Sequence, residues 1–170
     1  MADKIIIFSG KQYSGKDTLA KILLENMADY RRCAMGDIIK LEYGRRHGLT
    51  YEEIEKNKAQ YRQGLIDLGN WGRSQSDDYW IKKIISENGN IMVTDVRVQF
   101  EYETFKNAGA IAIRVECPRE IREKRGTLVG ENDITEVGLD HITDWDYVIY
   151  NDSDLESLKE KAFELIKDLK

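Results

Sequence analysis

The sequence predicts an α/β fold in which helices cover a parallel sheet. Three observations carry that prediction. Short apolar runs alternate along the chain with longer segments of helical period. One run, Ile5 to Phe8, leads directly into the stretch GKQYSGKDT and then into a helical pattern. Another, IMVT at 91–94, is continuous in apolar residues, as a strand buried on both faces should be.

In chain order, Ile5 to Ser9 is the first strand, and Leu19, Ile22, Leu23 and Met27 then recur at helical spacing. Cys33 to Met35 reads as a brief second strand, followed by helices over about Asp37 to His47 and about Tyr51 to Leu68. Thr50, with Glu53 three residues on, forms a capping box at the start of the latter. A helix around Asp78 to Ser86 precedes the strand Ile91 to Thr94, which ends at Asp95. A helix near Phe100 to Ala108 and a strand from Ala110 to Val115 come next. Pro118, the single proline, opens a short basic helix at Arg119 to Arg125. The segment Arg125 to Asp140 carries Gly126, Gly130 and Gly138 with little periodicity and reads as a mobile excursion. Tyr147 to Tyr150 is the last strand. Ser153 with Glu156 is expected to cap a closing helix whose apolar face is Leu155, Leu158, Ala162, Leu165, Ile166 and Leu169.

A chain of 170 residues suits one domain with a sizeable core. Its composition, 41% hydrophobic and 34% charged, is that of a soluble globular protein. The formal net charge of −5 speaks against a non-specific nucleic-acid or membrane-surface binder, so any anion site must be focused. Met1 is followed by a strand-like run without a charged leader, and no apolar segment approaches the length of a bilayer span. These features predict a cytoplasmic protein, monomer or homodimer, without nucleic-acid or membrane partners. Cys33 and Cys117, like His47 and His141, lack metal-ligand spacing.

The chemistry sits first in GKQYSGKDT. Gly10, Gly15 and Lys16 have the spacing Gly-x-x-x-x-Gly-Lys between a buried strand and an amphipathic helix. Such a loop turns backbone N–H groups onto a phosphate, the helix N-terminus adds its dipole, and the Lys reaches the β- and γ-phosphates. Asp17 stands where Ser or Thr would supply Mg2+ with a hydroxyl. The alternative is a strand-to-helix turn with an exposed lysine. Asp95, at a strand end, is placed to hold Mg2+ or simply to cap a helix. Arg97, two residues on, suits an acceptor phosphate, unless it is a solvated turn residue. Basic residues cluster at Arg119, Arg122, Lys124 and Arg125, and at Arg45, Arg46, Arg62 and Arg73, where Tyr61, Trp71, Tyr79 and Trp80 accompany them. The aromatic residues are expected to pack the core, with stacking on a ligand as the alternative.

FSGKQYSGKDT resembles the loop Ser-Gly-Lys-x-x-Ser-Gly-Lys-Asp of two related groups, the phage-type deoxynucleoside monophosphate kinases and the animal-type phosphomevalonate kinases. Both belong to the nucleoside-monophosphate-kinase-like branch of the phosphate-loop kinases. The likeness continues through YRQGLIDLGNWGR with DDYWIKKI, TDVR, NAGAIAIRVECP and ITEVGLDHITDWDYVIYNDSDLESL, nearly the whole chain. Asp17 then looks like a family trait.

The resemblance implies a three-layer α/β/α domain with a five-stranded parallel sheet, an acceptor-binding helical region at about 37–80 and a lid at about 119–135. It implies that Gly10, Lys11, Ser14, Gly15, Lys16, Asp17, Thr18 and Arg122 bind ATP, and that Asp17 and Asp95 hold Mg2+. Arg62, Arg73 and Arg97 would bind the acceptor, with Lys16, Asp95, Arg97 and Arg125 catalytic. The expected reaction moves the γ-phosphoryl of ATP onto a phosphate monoester, first a deoxynucleoside monophosphate, with phosphomevalonate as the alternative. Phosphomevalonate kinases share HGLTYEEI but have a more basic loop than KQYSG and a second Arg where Val98 stands. Phage-type nucleotide kinases share GKDT, AGA and ITEVGL but have a longer acceptor insertion. A rival of another class is a nucleotide switch, although NKAQ at 57–60 lacks the Asp of a guanine-reading segment.

Overall fold

Residues 1–169 are described by a computed structural model. Five strands, β1 (Ala2–Ser9), β2 (Tyr30–Arg32), β3 (Gly89–Val93), β4 (Ile111–Glu116) and β5 (Tyr147–Tyr150), form one parallel sheet in the order β2-β3-β1-β4-β5. The helices along the chain are α1 (Lys16–Asn26), α2 (Met35–His47), α3 (Tyr51–Lys56), α4 (Lys58–Gln75), α5 (Tyr79–Ile85), α6 (Gln99–Asn107), α7 (Arg119–Arg125), α8 (Ile134–Val137) and α9 (Leu155–Leu169).

Strand β1 pairs on both sides, Ile7 opposite Val93 of β3 and Phe8 opposite Ile113 of β4. With both edges paired and both faces covered it must be apolar, and Ile6, Ile7 and Phe8 are fully buried. Burying a side chain of that size stabilises by about 1.5–3 kcal/mol. Alternation then divides the core in two. Ile5, Ile7, Ile91 and Val93 meet Ile38, Leu68, Trp80, Ile84 and Phe105, contributed by α2, α4, α5 and α6. Ile6, Phe8, Met92 and Ile113 meet Leu19, Leu23, Leu158, Ala162 and Leu165 of α1 and α9. The result is the expected three-layer sandwich. Because β1 lies between β3 and β4, the strand order reverses beside its C-terminal end, where open α/β sheets leave a crevice. No described helix is long and apolar enough to cross a membrane.

Several boundaries differ from the sequence expectation. The second strand is Tyr30–Arg32, not Cys33 to Met35. Cys33 still donates its amide to Met92 O at 2.9 Å, but the amides of Ala34 and Met35 turn to the carboxylates of Asp37 and Asp95, which starts α2 instead. The helix expected over 51–68 is α3 and α4, parted at Asn57. There the Asn57 side chain donates to Glu53 O at 3.0 Å and competes with the helical pattern. The Thr50 capping box is present, with Glu53 N donating to Thr50 Oγ1 (3.2 Å) and Thr50 N to the Glu53 carboxylate (2.7 Å). Asp154, rather than Ser153, caps α9 by accepting the amide of Ser157 at 2.9 Å. The 125–140 excursion contains α8, capped by Asp133, which accepts the Thr135 amide at 2.8 Å.

Packing of α5 on α4 depends on Trp80, which is 1% exposed and donates its indole N–H to Gly69 O at 3.0 Å. A Cβ on Gly72 would come within 2.6 Å of Trp80 Cζ2 and overlap other atoms of the ring, whereas on Gly69 the nearest atoms would be 3.4 Å away. Gly72→Ala is therefore expected to lower the unfolding free energy by about 1–3 kcal/mol. Gly69→Ala should be near neutral, because its gain in helix propensity of up to about 1 kcal/mol meets only ordinary contacts. Urea denaturation of both variants checks this, and equal midpoints would refute the packing argument.

Candidate functional site

Strand β1 ends at Ser9, and residues 10–15 turn across the edge of the sheet into α1. Gly15 makes the turn at φ 94°, and a Cβ there would run into the Asn151 side chain. The first backbone bond closing α1 is Leu19 N to Gly15 O (2.9 Å), so the amides of Lys16, Asp17 and Thr18 have no partner inside the helix. The loop carbonyls are taken from behind. Arg122 Nη1 donates to Gln12 O (3.3 Å), Arg125 Nη1 to Tyr13 O (3.2 Å) and Ser14 O (3.4 Å), and Asn151 Nδ2 to Ser14 O (2.8 Å). Tyr13 holds φ 59°, which costs a non-glycine residue on the order of 1–3 kcal/mol. Its ring lies so close over Gly126 that a Cβ there would fall 2.7 Å from the Tyr13 hydroxyl oxygen. Ser14 Oγ is buried with no hydrogen-bond partner among the described residues. Such a concavity of unpaired amides and one orphan hydroxyl can receive an anion.

Lys16 is buried on the floor of this cleft, donating to Thr94 O (2.8 Å) and to Asp17 Oδ1 (2.7 Å). The Asp17 carboxylate itself faces solvent. Asp95 follows Thr94 and accepts the amide of Met35 at 3.0 Å. Burial pushes its carboxyl up from the usual carboxylate range, while the amides of Met35 and Gly36 and the charge of Arg32 pull it down. Arg97 is half exposed, 3.6 Å from the buried Glu136, whose other oxygen accepts the Gln12 amide at 2.9 Å. Lys11 pairs with Asp140 (2.6 Å), which also meets the buried Arg114 (3.1 Å). The two arginines of α7 differ. Arg125 is exposed at the cleft and also donates to Asn151 O and Ser153 O, both at 3.2 Å. Arg122 is buried beneath the loop, bonded to Cys117 O (3.2 Å) and Gln12 O.

The cleft has a volume of about 680 Å3 and is walled by the loop, Arg97, Arg125, Thr127, Asn151 and Asp154. A second cavity of about 710 Å3 opens between α2 and α4, where Lys40, Lys58, Arg62 and Arg73 surround Ile39, Leu65 and Ile66. Thr94 and Asp95 line neither cavity but connect the elements around them, since Thr94 O holds Lys16 and Asp95 holds the start of the helix bearing Ile39 and Lys40. Of the aromatic residues, Trp80 is core, Trp71 stacks edge-on with Tyr79 at 5.4 Å, and none lines this second cavity. Asn151, Glu136, Arg32, Lys40 and Lys58 were not singled out in the sequence. A polar residue just past a strand of the parallel sheet, as Asn151 is past β5, is the signal that would have flagged the first of them.

A family model described as phosphomevalonate kinase matches residues 8–110, and one described as deoxynucleotide monophosphate kinase matches residues 64–162. The chain belongs to the P-loop kinases of these two families. A phosphomevalonate kinase from Drosophila melanogaster is 28% identical to it, over 97% of this chain and 95% of its own length. A UPF0200 protein from Sulfurisphaera tokodaii is 30% identical over 96% of each. Among solved structures, a shikimate kinase from Bacteroides thetaiotaomicron aligns over 98% of both chains with a TM-score of 0.57 at 14% identity, a likeness of fold alone.

In this kinase the loop amides keep their aim only while the carbonyls behind them are held. Asn151→Asp keeps the shape but removes the donor, leaving Ser14 O facing a carboxylate at a cost of about 1–3 kcal/mol. The expected outcome is nucleotide affinity weakened roughly tenfold or more, with thermal stability lowered by only a few degrees. Calorimetric nucleotide titration measures it, and parental affinity would show that Asn151 does not orient the loop.

Proposed function

We propose that this kinase transfers the γ-phosphoryl group of ATP to a phosphate monoester, giving ADP and a diphosphate. One observation carries the reading: between α2 and α4, elements tied to the loop lysine through the hydrogen bonds of Thr94 and Asp95, lies a second cavity whose lining holds four cations, Lys40 paired with Asp37 and Glu55, and no carboxylate, in a chain of net charge −5. Positive charge so focused suits a second phosphate. That acceptor is already an anion at neutral pH, so no general base is required, and catalysis reduces to positioning and charge neutralisation. In this reading the amides of Gly15 to Thr18, with Gly10, Lys11, Ser14 and Lys16, hold the ATP phosphates. Arg62 and Arg73 hold the acceptor in a region of about 37–80, and Arg97 meets its phosphate. Arg125 brings a further cation from a lid of about 119–135, while Arg122 acts from beneath the loop.

Mg2+ fits the residues present. The described residues contain no group of three or more side chains able to bind a metal, as suits an ion that takes most of its ligands from phosphate oxygens and water. Asp17, solvent-facing beside Lys16, and Asp95 at the end of β3 would hold it. When bound with ATP it would neutralise phosphate charge.

For the acceptor, a deoxynucleoside monophosphate is the reading drawn from sequence. The cavity lining favours a second one, 5-phosphomevalonate. A nucleobase presents a π face and both donors and acceptors on its edge. The lining offers neither an aromatic ring nor a side-chain acceptor. A short aliphatic chain with a phosphate at one end and a carboxylate at the other is matched by four cations around Ile39, Leu65 and Ile66.

Coupled ADP release across a panel of nucleoside monophosphates and phosphomevalonate tests both levels. We expect phosphomevalonate to exceed every nucleotide in kcat/KM by about 100-fold or more, a difference of roughly 2.7 kcal/mol in transition-state binding. The reverse order would place base recognition outside this lining, and no ADP release above the Lys16→Met background would remove the transfer reading.

A separate expectation concerns Asp17. Asp17→Ala should raise the Mg2+ concentration giving half-maximal rate, and Asp17→Ser should keep measurable activity through a hydroxyl ligand. Superimposable Mg2+ titrations of the three proteins would mean that Asp17 takes no part in metal binding.

A further inference from the structure

Arg32 stands in β2, two residues before α2 opens with Ala34 as its cap. Successive strand residues leave opposite faces, and the two arginines of β2 do so. Arg31, opposite Ile91, donates to the Glu87 carboxylate (2.8 Å) and Asn88 O (3.3 Å), near the start of β3. Arg32, opposite Met92, turns to the other end of that strand, where its Nε donates to Thr94 Oγ1 at 3.2 Å and its Nη1 to the Asp37 carboxylate. Thr94 is 3% exposed, and its carbonyl is the acceptor of the Lys16 ammonium at 2.8 Å. Two cations, one from β2 and one from the first residue of α1, therefore converge on a single buried residue.

Each of the two cations keeps a carboxylate beside it, Lys16 that of Asp17 and Arg32 that of Asp37, and an anion arriving between them would be drawn by both. The guanidinium is held so as to receive one. Nε and Nη1 are fixed on Thr94 and Asp37, the side chain is 50% exposed, and Nη2 has no partner among the described residues. Asp37 in turn accepts the Tyr51 hydroxyl (2.8 Å) and pairs with Lys40 (3.5 Å), which lines the cation-rich cavity. Arg32 thus stands on a continuous polar path from the loop lysine to the acceptor cavity. Arg31 is equally exposed and likewise held by two acceptors; what sets Arg32 apart is that one of its acceptors is Thr94, whose carbonyl holds Lys16.

We propose that Arg32 is a further phosphate-contacting residue of this site, meeting the acceptor phosphate between Lys16 and the cavity between α2 and α4. The proposal rests on the phosphoryl-transfer reading above, and its test is chosen to separate the two. Inorganic phosphate is titrated calorimetrically into protein saturated with ADP and Mg2+, for the parent, Arg32→Ala, Arg32→Lys and, as control, Arg31→Ala. In parallel, kinetics are measured with whichever acceptor turns over. Loss of a charge-assisted contact is expected to weaken phosphate binding about fivefold or more in Arg32→Ala and to lower kcat/KM for the acceptor about tenfold or more, with the KM for ATP within about threefold. Arg32→Lys should recover part of both losses, because it keeps the charge without the fork. Arg31→Ala should match the parent. Phosphate affinity of Arg32→Ala within about twofold of the parent, or no measurable phosphate binding by the parent, overturns the proposal whether or not any acceptor turns over. Absence of ADP release from the parent removes the transfer reading instead, and the phosphate titration still decides Arg32.

Discussion

A peptide unit points its N–H and its C=O in opposite directions, so a loop that offers amides to an anion must send its carbonyls the other way and satisfy them there. That constraint organises this molecule. The carbonyls of Gln12, Tyr13 and Ser14 are satisfied by Arg122, Arg125 and Asn151. Left unpaired, each buried carbonyl would cost about 1–3 kcal/mol and the loop would twist toward water. The donors come from residues more than one hundred positions away in sequence, on the segments that follow β4 and β5. The last third of the chain therefore shapes residues 10–15. The parallel sheet makes this possible because every strand delivers its following residues to the same edge.

The same economy appears at β3. Thr94 uses its carbonyl for Lys16 and its hydroxyl for Arg32, and the next residue, Asp95, spends its carboxylate on the amide of Met35 at the start of α2. A negative group is favourable at a helix N-terminus, and here it ties α2 to the strand end that also fixes the loop lysine. Two consecutive residues thus link the elements bordering the cleft to those bordering the second cavity. Asp95 sits there partly desolvated, its carboxyl raised by burial, a condition that a nearby cation would relieve.

Much of this was legible in the sequence, for reasons that can be stated residue by residue. The runs Ile5 to Phe8 and Ile91 to Val93 are buried on both faces and so leave a continuous apolar signature. The glycine loop announces itself because its mechanism fixes spacing and flanking elements together. The Thr50 box and the apolar face of α9 are local patterns read with local rules. What escaped is non-local. Nothing near Asn151 reveals that its amide will meet Ser14, and nothing near Glu136 reveals Gln12 and Arg97. Arg32, just ahead of the strand expected at Cys33 to Met35, carries no signal until Thr94 is brought beside it. Arg122 and Arg125 share a basic helix in the sequence, yet one is buried beneath the loop and the other lines the cleft. The second strand was misplaced and the break at Asn57 missed because side chains, those of Asp95, Asp37 and Asn57, decide where backbone amides and carbonyls find partners.

Charge gives the last link between this architecture and the proposed chemistry. Two phosphates brought into line repel, and unit like charges 4 Å apart at an effective dielectric of 20 cost about 4 kcal/mol before any bond changes. A kinase with a phosphate acceptor must supply that much in opposite charge, already in place, and has no proton to move from its nucleophile. The distribution of titratable groups agrees with such a task. Lys16, Arg97 and Arg125 border the cleft, and Lys40, Lys58, Arg62 and Arg73 border the second cavity. Both histidines are occupied elsewhere, His47 against the ring of Tyr43 at 4.2 Å and His141 on Gln99 at 3.0 Å. Acid groups near the loop are each committed to a cation or an amide, Asp17 to Lys16, Glu136 to the Gln12 amide and Asp140 to Lys11 and Arg114. The acids of the loop thus serve to hold cations and amides in position, an arrangement that agrees with neutralising two phosphates in the proposed reaction.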